Sequence, residues 1–339
     1  MQVSRYRWAI LAAAAAWIAP LYFAQTAATP KYQAIWEPVN YAEDLELLDV
    51  AFASEEAGWV AGGVTVMRGG VILHTSDGGT SWRVQLGDPQ SADRAYRGLR
   101  VLDATHAWAV QGTGQASRLL HTADGENWSA TGTIAEHFVD YTFLSDSYGI
   151  EADAHGLTMT HDGGRRWTPV AACVLRAEVN GLTKNVQCQF TALHFVSASV
   201  GYAVGKAPEL RDPFVVFKTT DGGKTWSRSV TPPPAAAEDL VFLDEGTAFL
   251  RTGERVKFAD GHTGWTFHYN KLSYTTDGGS RWSSREFAFP ARVNAFCLPS
   301  ARRGYVAGQH GMIYRYRVVP IEYRAKGMMA APMMATPGR

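Results

Sequence analysis

The chain has little that would suit a nucleic-acid binder. Its 32 Lys and Arg balance 32 Asp and Glu over 339 residues, so no global field draws it towards nucleic acid or anionic lipid. No basic run interleaved with aromatics suggests RNA binding. Cysteine is scarce, with three in all, and none follows the apolar stretch near the N-terminus, which argues against a lipoprotein anchor. Two histidines or cysteines at metal-ligand spacing do not occur in any recognisable motif, and neither a metal nor a cofactor is expected. What the chain does have is glycine, 33 residues, and 12% aromatics; that mixture suits turn-rich β structure better than helices.

The N-terminus reads as an export signal. Arg5 and Arg7 precede an apolar run from Trp8 to Ala24, followed by the small residues Thr26-Ala27-Ala28. Cleavage after Ala28 is the expectation, with an uncleaved membrane tether through residues 8–24 as the alternative. The protein is therefore expected in the periplasm or on the outer face of the membrane. Cys173 and Cys188 fit that setting: both lie in one insertion, residues 171–189. A disulfide between them would close a loop worth about 3 kcal/mol in the chain-entropy model. Cys297 falls on an innermost strand and reads as a buried thiol rather than a nucleophile, since no motif places a partner histidine. The tail, residues 321–339, is rich in Ala, Met and Pro and is expected to be disordered. The residues between, 29–320, form one domain.

That domain repeats itself. TSDGGTSW (Thr75 to Trp82), TADGENW (Thr122 to Trp128), THDGGRRW (Thr160 to Trp167), TTDGGKTW (Thr219 to Trp226) and TTDGGSRW (Thr275 to Trp282) each follow a short apolar run. Asp accepts hydrogen bonds from the backbone just ahead of it, and Gly supplies positive φ, so each box is a hairpin turn. Upstream lie an innermost strand ending in an aromatic, such as Val50-Ala51-Phe52, Leu240-Val241-Phe242 and Asn294-Ala295-Phe296, and a Gly-aromatic strand, such as Gly58-Trp59-Val60-Ala61-Gly62. Four short antiparallel strands per unit are the pattern of a β-propeller blade.

Units begin near residues 47, 97, 138, 190, 237 and 292, which makes an all-β, six-bladed propeller of four-stranded antiparallel blades. The sixth unit has no Asp box and no Trp strand. Ala34-Ile35-Trp36-Glu37-Pro38-Val39 looks like the missing strand, so the ring is expected to close by pairing residues 34–40 into the last blade, which removes an exposed edge.

T-x-D-G-G-x-x-W is similar to the Asp-box (bacterial neuraminidase) repeat. The fuller unit, F-x-S-x-x-x-G-W-x-x-G followed by I-x-x-T-x-D-G-G-x-x-W, resembles the photosystem II assembly/stability factor family and its relatives in non-photosynthetic bacteria, over about residues 34–318. The second box departs from the pattern by one residue and carries Glu126. The photosystem factors have seven blades, so seven is the alternative count. The resemblance implies a non-catalytic scaffold that holds a protein partner, a subunit of a membrane or envelope complex. Sialidases share the box, so a glycoside hydrolase of the sialidase-like type is the alternative.

Candidate site residues fall in two sets. Asp77, Asp124, Asp162, Asp221 and Asp277 each tie their own turn and are read as structural, with the Asp124 turn distorted. One carboxylate per turn falls short of a Ca²⁺ cage. The second set lies at the axis, where the innermost strands begin: Asp49, Arg97, Asp140, Asp239 and Arg292, with Arg94 and Arg100 flanking Arg97. Guanidinium groups there could make bidentate contacts to carboxylates on a partner. A glycosidase would need two carboxylates across the scissile bond, and Asp49, Asp140 and Asp239 fall on alternate blades. It would also need an early Arg-x-Pro, which residues 29–60 lack.

Overall fold

The computed structural model describes residues 31–321 apart from 40, 42, 64–68, 89–94, 113–116, 136–137, 196, 211–213, 230–239, 245–246, 251–254, 261 and 269. The expectations for the N-terminal signal and for most of the tail, like those for Arg94 and Asp239, lie outside the described residues. Ala34–Val319 form one compact unit. Every described element is a strand.

Six sheets radiate as the blades of a propeller. The first runs Leu47–Phe52, Gly58–Gly62, Val71–Thr75, Arg83–Gly87, and the second Tyr96–Val101, Ala107–Gly112, Ser117–Thr122, Ser129–Ile134. The third runs Phe138–Phe143, Gly149–Asp153, Gly156–Thr160, Thr168–Ala172, and the fourth Gln189–Phe195, Gly201–Lys206, Phe214–Thr219, Ser227–Arg228. In the sixth, Val293–Ser300, Arg303–Gly308 and Ile313–Pro320 are completed by Tyr32–Val39 from the other end of the chain. Closure holds as read. Trp36 fills the place of the missing Trp strand, 5.3 Å from Trp265, 5.0 Å from Phe289 and 5.3 Å from Tyr316 between ring centroids. Glu37 pairs with Arg315 at 2.9 Å and Arg317 at 3.4 Å.

The fifth sheet differs from expectation. It has six strands, Leu240–Asp244, Thr247–Leu250, Arg255–Phe258, Gly264–His268, Lys271–Thr275 and Ser283–Ala288. The strand that abuts the sixth blade's inner strand is Arg255–Phe258, not Leu240-Val241-Phe242. The physical reason is the pairing of an aromatic with glycine. In blades one, three and four, Phe52, Phe143 and Phe195 stand opposite Gly58, Gly149 and Gly201. A Cβ on Gly58 would fall 2.4 Å from the Phe52 ring. In blade five the same contact joins Phe258 to Gly264, at 2.7 Å, while Phe242 stands opposite Ala248. The hairpin 240–250 is an addition to a four-stranded blade.

The sixth inner strand is also shifted from the expected alignment. Val306, the counterpart of Val60, pairs with Phe296, whereas Val60 pairs with Val50. Phe296 therefore stands level with Val50 rather than Phe52. Arg292, whose carbonyl accepts from Gln309 N–H at 3.1 Å, stands level with Glu46, whose carbonyl accepts from Gly63 N–H at 2.8 Å. Arg292 thus lies two residues earlier than the level of Arg97.

Between blades, the second-strand aromatic is the wedge. Trp108 stacks on Phe143 of the next blade at 4.2 Å, and Tyr305 on Phe52 of the first blade at 3.6 Å. Trp59, Trp108 and Tyr305 are fully buried. Among the described residues five of the six blade-to-blade seams hold their own apolar cluster, so the core is a series of layers rather than one mass.

Candidate functional site

Antiparallel order assigns the two faces of the ring. Inner strands start on one face, here called upper. The turns between second and third strands, and the connections from each outer strand to the next blade, lie on that face as well. The Asp boxes join third to fourth strands and so lie on the lower face.

On the lower face each box is tied by two side chains. Asp77 Oδ1 accepts from the backbone N–H of Thr80 and Ser81, both at 2.9 Å, and Asp162, Asp221 and Asp277 accept the corresponding N–H of Arg166, Thr225 and Arg281, each at 2.9 Å. The threonine that opens each box was missed in the sequence reading. Its hydroxyl donates to the Asp, and in the four boxes with two glycines it also accepts the N–H of the second, as Thr219 does at 2.8 Å and 2.9 Å. In the second box Asp124 accepts from Glu126 and Asn127, one residue early, at 2.8 Å and 2.7 Å. These bonds hold the carboxyls low. The Arg166 side chain and then its N–H hold Asp162 at about 2; the Thr225 hydroxyl and then its N–H hold Asp221 at about 2.

At the axis the charged residues turn mostly towards neighbouring blades. Asp49 Oδ2 accepts the N–H of Leu99 in blade two at 3.1 Å. Asp140, buried, accepts its own neighbour Tyr141 N–H at 2.9 Å, Leu193 N–H of blade four at 3.3 Å, and the Arg100 guanidinium. Arg100 also donates to the Tyr141 carbonyl of blade three at 2.8 Å and to Leu99 O at 2.7 Å. Burial works against its charge, but the Asp140 and Asp49 carboxylates outweigh that and raise its pKa.

Lys257, on the inner strand of blade five, repeats the geometry of Arg100. Its Nζ donates to the Phe296 carbonyl of blade six at 2.6 Å, and Phe296 stands level with Tyr141. Asn294 donates to Leu47 O of blade one at 3.0 Å. Sequence reasoning missed Lys257 because it took the wrong strand as the inner one. Asp49, Lys257, Asn294 and Phe296 line an axial cavity of about 240 Å³. His194 stands on the same face of its strand as Arg100 and Lys257. Burial raises the pKa of the Cys297 thiol above the ordinary range, which suits an inert group.

Arg97 and Arg292 remain at the upper rim. The Arg97 guanidinium lies 4.8 Å from the Phe138 ring centroid, half-exposed, and Arg292 is exposed. Glu151 was not singled out from sequence. It is buried, accepts Ala135 N–H at 2.8 Å and the Thr158 hydroxyl at 3.2 Å, and its pKa is raised by burial. Among the described residues no group of three His, Cys, Asp or Glu is placed to hold a metal. The structure bridges Cys173 to Cys188 and leaves Cys297 free.

Residues 28–133 match the family described as Photosynthesis system II assembly factor YCF48. A curated relative, the photosystem II assembly lipoprotein Ycf48 of Synechococcus sp. (strain CC9902), is 23% identical over 255 residues, covering 72% of this chain. The match spans 57% of that relative's length. Among solved structures, Ycf48 from Cyanidioschyzon merolae superposes with a TM-score of 0.55 at 15% identity, covering 83% of this chain and 98% of that one. A Ycf48 bound to a D1 peptide gives 0.50 at 16% identity, with 83% and 96% covered. A streptogramin B lyase gives 0.51 at 9% identity, with 84% and 98% covered. These superpositions show the propeller fold; the chain is similar to the photosystem II assembly factor-like family of β-propellers.

Proposed function

We propose that this chain is an exported, non-catalytic propeller that holds a protein partner, a subunit of a membrane or envelope complex, against its upper face as an assembly or stability factor. The observation that carries the reading is where the arginines stand. Arg100 is packed between blades, whereas Arg97, half-exposed over Phe138, and Arg292, exposed, lie at the upper rim, where a partner's carboxylates can reach them. The name of the Synechococcus relative and the D1 peptide in a Ycf48 structure support a polypeptide as the ligand. The Arg5/Arg7 and Trp8–Ala24 pattern supports export.

The glycosidase alternative fares less well. Both Asp140 oxygens are engaged in a buried setting, whereas hydrolysis needs a carboxylate pair open to substrate. The test is capture from the native envelope fraction by purified protein, with sialoside and β-glucan turnover measured on the same preparation. A specific protein partner and no turnover is the expected result. Turnover lost on Asp140→Asn would replace this reading with the enzyme.

A further inference from the structure

The insertion between blades three and four is a built element with no role in closing the ring. Val174–Val179 and Leu182–Gln187 form a separate two-stranded ribbon. Its turn is Asn180-Gly181, both at positive φ (55° and 79°), the two-residue hairpin turn that matches strand twist. Its foot is clamped by the Cys173–Cys188 disulfide and by Cys173 N–H to His155 O at 2.7 Å. His155 lies in the turn between the second and third strands of blade three, so the ribbon stands on the upper face. Lys184 pairs with Glu209, in the corresponding turn of blade four, at 2.5 Å.

Neither edge of this ribbon pairs with another strand among the described residues, and the edge of Leu182–Gln187 is the more exposed. Val179 and Leu182 flank the two-residue turn and so bond to each other; the pairs Ala177–Lys184 and Leu175–Val186 follow the same phase. The N–H and C=O groups of Thr183, Asn185 and Gln187 therefore point away from the ribbon. Among the described residues no strand pairs with that edge. The side chains of all three are exposed, and Leu182 beside the tip is 72% exposed. The other strand is more covered: its Leu175, with the paired Val186 opposite, packs into the seam between blades three and four.

We infer that the edge Thr183–Gln187 receives an extended segment of the partner polypeptide as a third strand, with an apolar partner residue against Leu182. This deepens the reading above and rests on it: the ribbon stands on the same face as Arg97 and Arg292. A lipid surface suits the edge poorly, because Thr183, Asn185 and Gln187 are uncharged and Arg176 and Lys184 are offset by Glu178 and by Glu209, the partner of Lys184. A second copy suits it poorly too. Antiparallel self-pairing about Asn185 would bring each tip at Gly181 level with Gln189 of the other copy, a residue already embedded in blade four. Main-chain hydrogen bonds would supply affinity, and the alternating side chains selectivity.

The test uses twelve-residue peptides tiling the membrane proteins of the source envelope, arrayed and probed with the disulfide-intact protein. Asn185→Pro removes one outward N–H and none that bonds within the ribbon; Thr183→Pro repeats this at a second position, and Asn185→Ala keeps the backbone donor. The expected result is a tenfold or greater loss for both proline variants, at unchanged melting temperature, with Asn185→Ala within twofold. Peptide binding that survives both proline variants but is lost in Arg97→Glu/Arg292→Glu would overturn the edge and leave the face reading standing. A concentration-dependent dimer abolished by Asn185→Pro would replace the partner by a second copy. An array that retains no peptide would also overturn the inference, while capture of a folded partner would still test the face by itself.

Discussion

At the scale of single residues, the same side-chain types serve different ends a few positions apart. Arg97 and Arg100 look alike in the sequence, yet Arg100 is mostly buried between blades and Arg97 stands at the rim. Arg100→Met would leave the Asp140 carboxylate buried without its cation, a change that costs about 3–5 kcal/mol when one partner of a buried pair is removed. Arg97→Met would forfeit a contact to Phe138 worth about 1 kcal/mol or less. Urea unfolding of the two variants distinguishes them, and Arg100→Met/Asp140→Asn should recover part of the loss. Equal, small effects would mean that Arg100 does not join the blades.

The box carboxyls give the acid limit. Asp162 and Asp221 sit at about 2 when folded, against an ordinary value near 3.8. A group with a depressed folded pKa favours the fold above its ordinary pKa, and that contribution disappears as pH falls from about 4 to 2. Glu151 acts in the opposite sense, since burial raises its pKa and its contribution is lost as pH rises through the folded value. The five depressed box carboxyls outnumber it in this window. The melting temperature should fall from pH 5 to pH 2, and Asp162→Asn/Asp221→Asn should make that fall shallower. Parallel curves for the two proteins would contradict the box chemistry.

At the scale of elements, the closing strand is the clearest test of the ring. Trp36 touches Trp265, Phe289 and Tyr316, so it ties blade five to blade six as well as ending the chain's circuit. Trp36→Ala should cost about 3–5 kcal/mol, the range for a large aromatic removed from a packed site, measured by denaturant unfolding. A loss under about 1 kcal/mol would mean that the strand merely lies on the sheet. This closure was legible because the sixth unit ends after Tyr316 with no Trp of its own while Trp36 has no unit. The fifth inner strand was legible too, in Phe258-Ala259-Asp260-Gly261-His262-Thr263-Gly264-Trp265, which repeats the spacing of Phe52 to Trp59. Leu240-Val241-Phe242 obscured it by ending in an aromatic. The deciding contact, a ring lying flat on a glycine, is a property of a pair of strands and shows only when the glycine is counted with the aromatic. In blade six the phenylalanine is replaced, and Gly304 packs under Trp265 of the previous blade instead, so an alignment on aromatics alone slips by two.

At the scale of the whole molecule, the propeller separates its two faces by chemistry. The lower face is consumed by turns whose carboxylates and threonines satisfy one another. The upper face carries the rim arginines and the disulfide-clamped ribbon. The Asp boxes alone marked the fold and not the site, because their carboxylates are engaged within their own turns. The axial set came partly into view because Asp49, Arg97 and Asp140 begin inner strands, but their direction of bonding depends on the neighbouring blade and no single repeat reveals it. The central claim is that a protein partner docks on the upper face. It is tested most directly by the affinity of the captured partner for three proteins: the native chain, Arg97→Glu/Arg292→Glu on the upper face, and Lys224→Glu/Arg281→Glu among the Asp boxes below. The upper-face pair should weaken binding at least tenfold at unchanged melting temperature while the lower-face pair stays within twofold of native. Equal binding by all three, or loss confined to the lower-face pair, would contradict it.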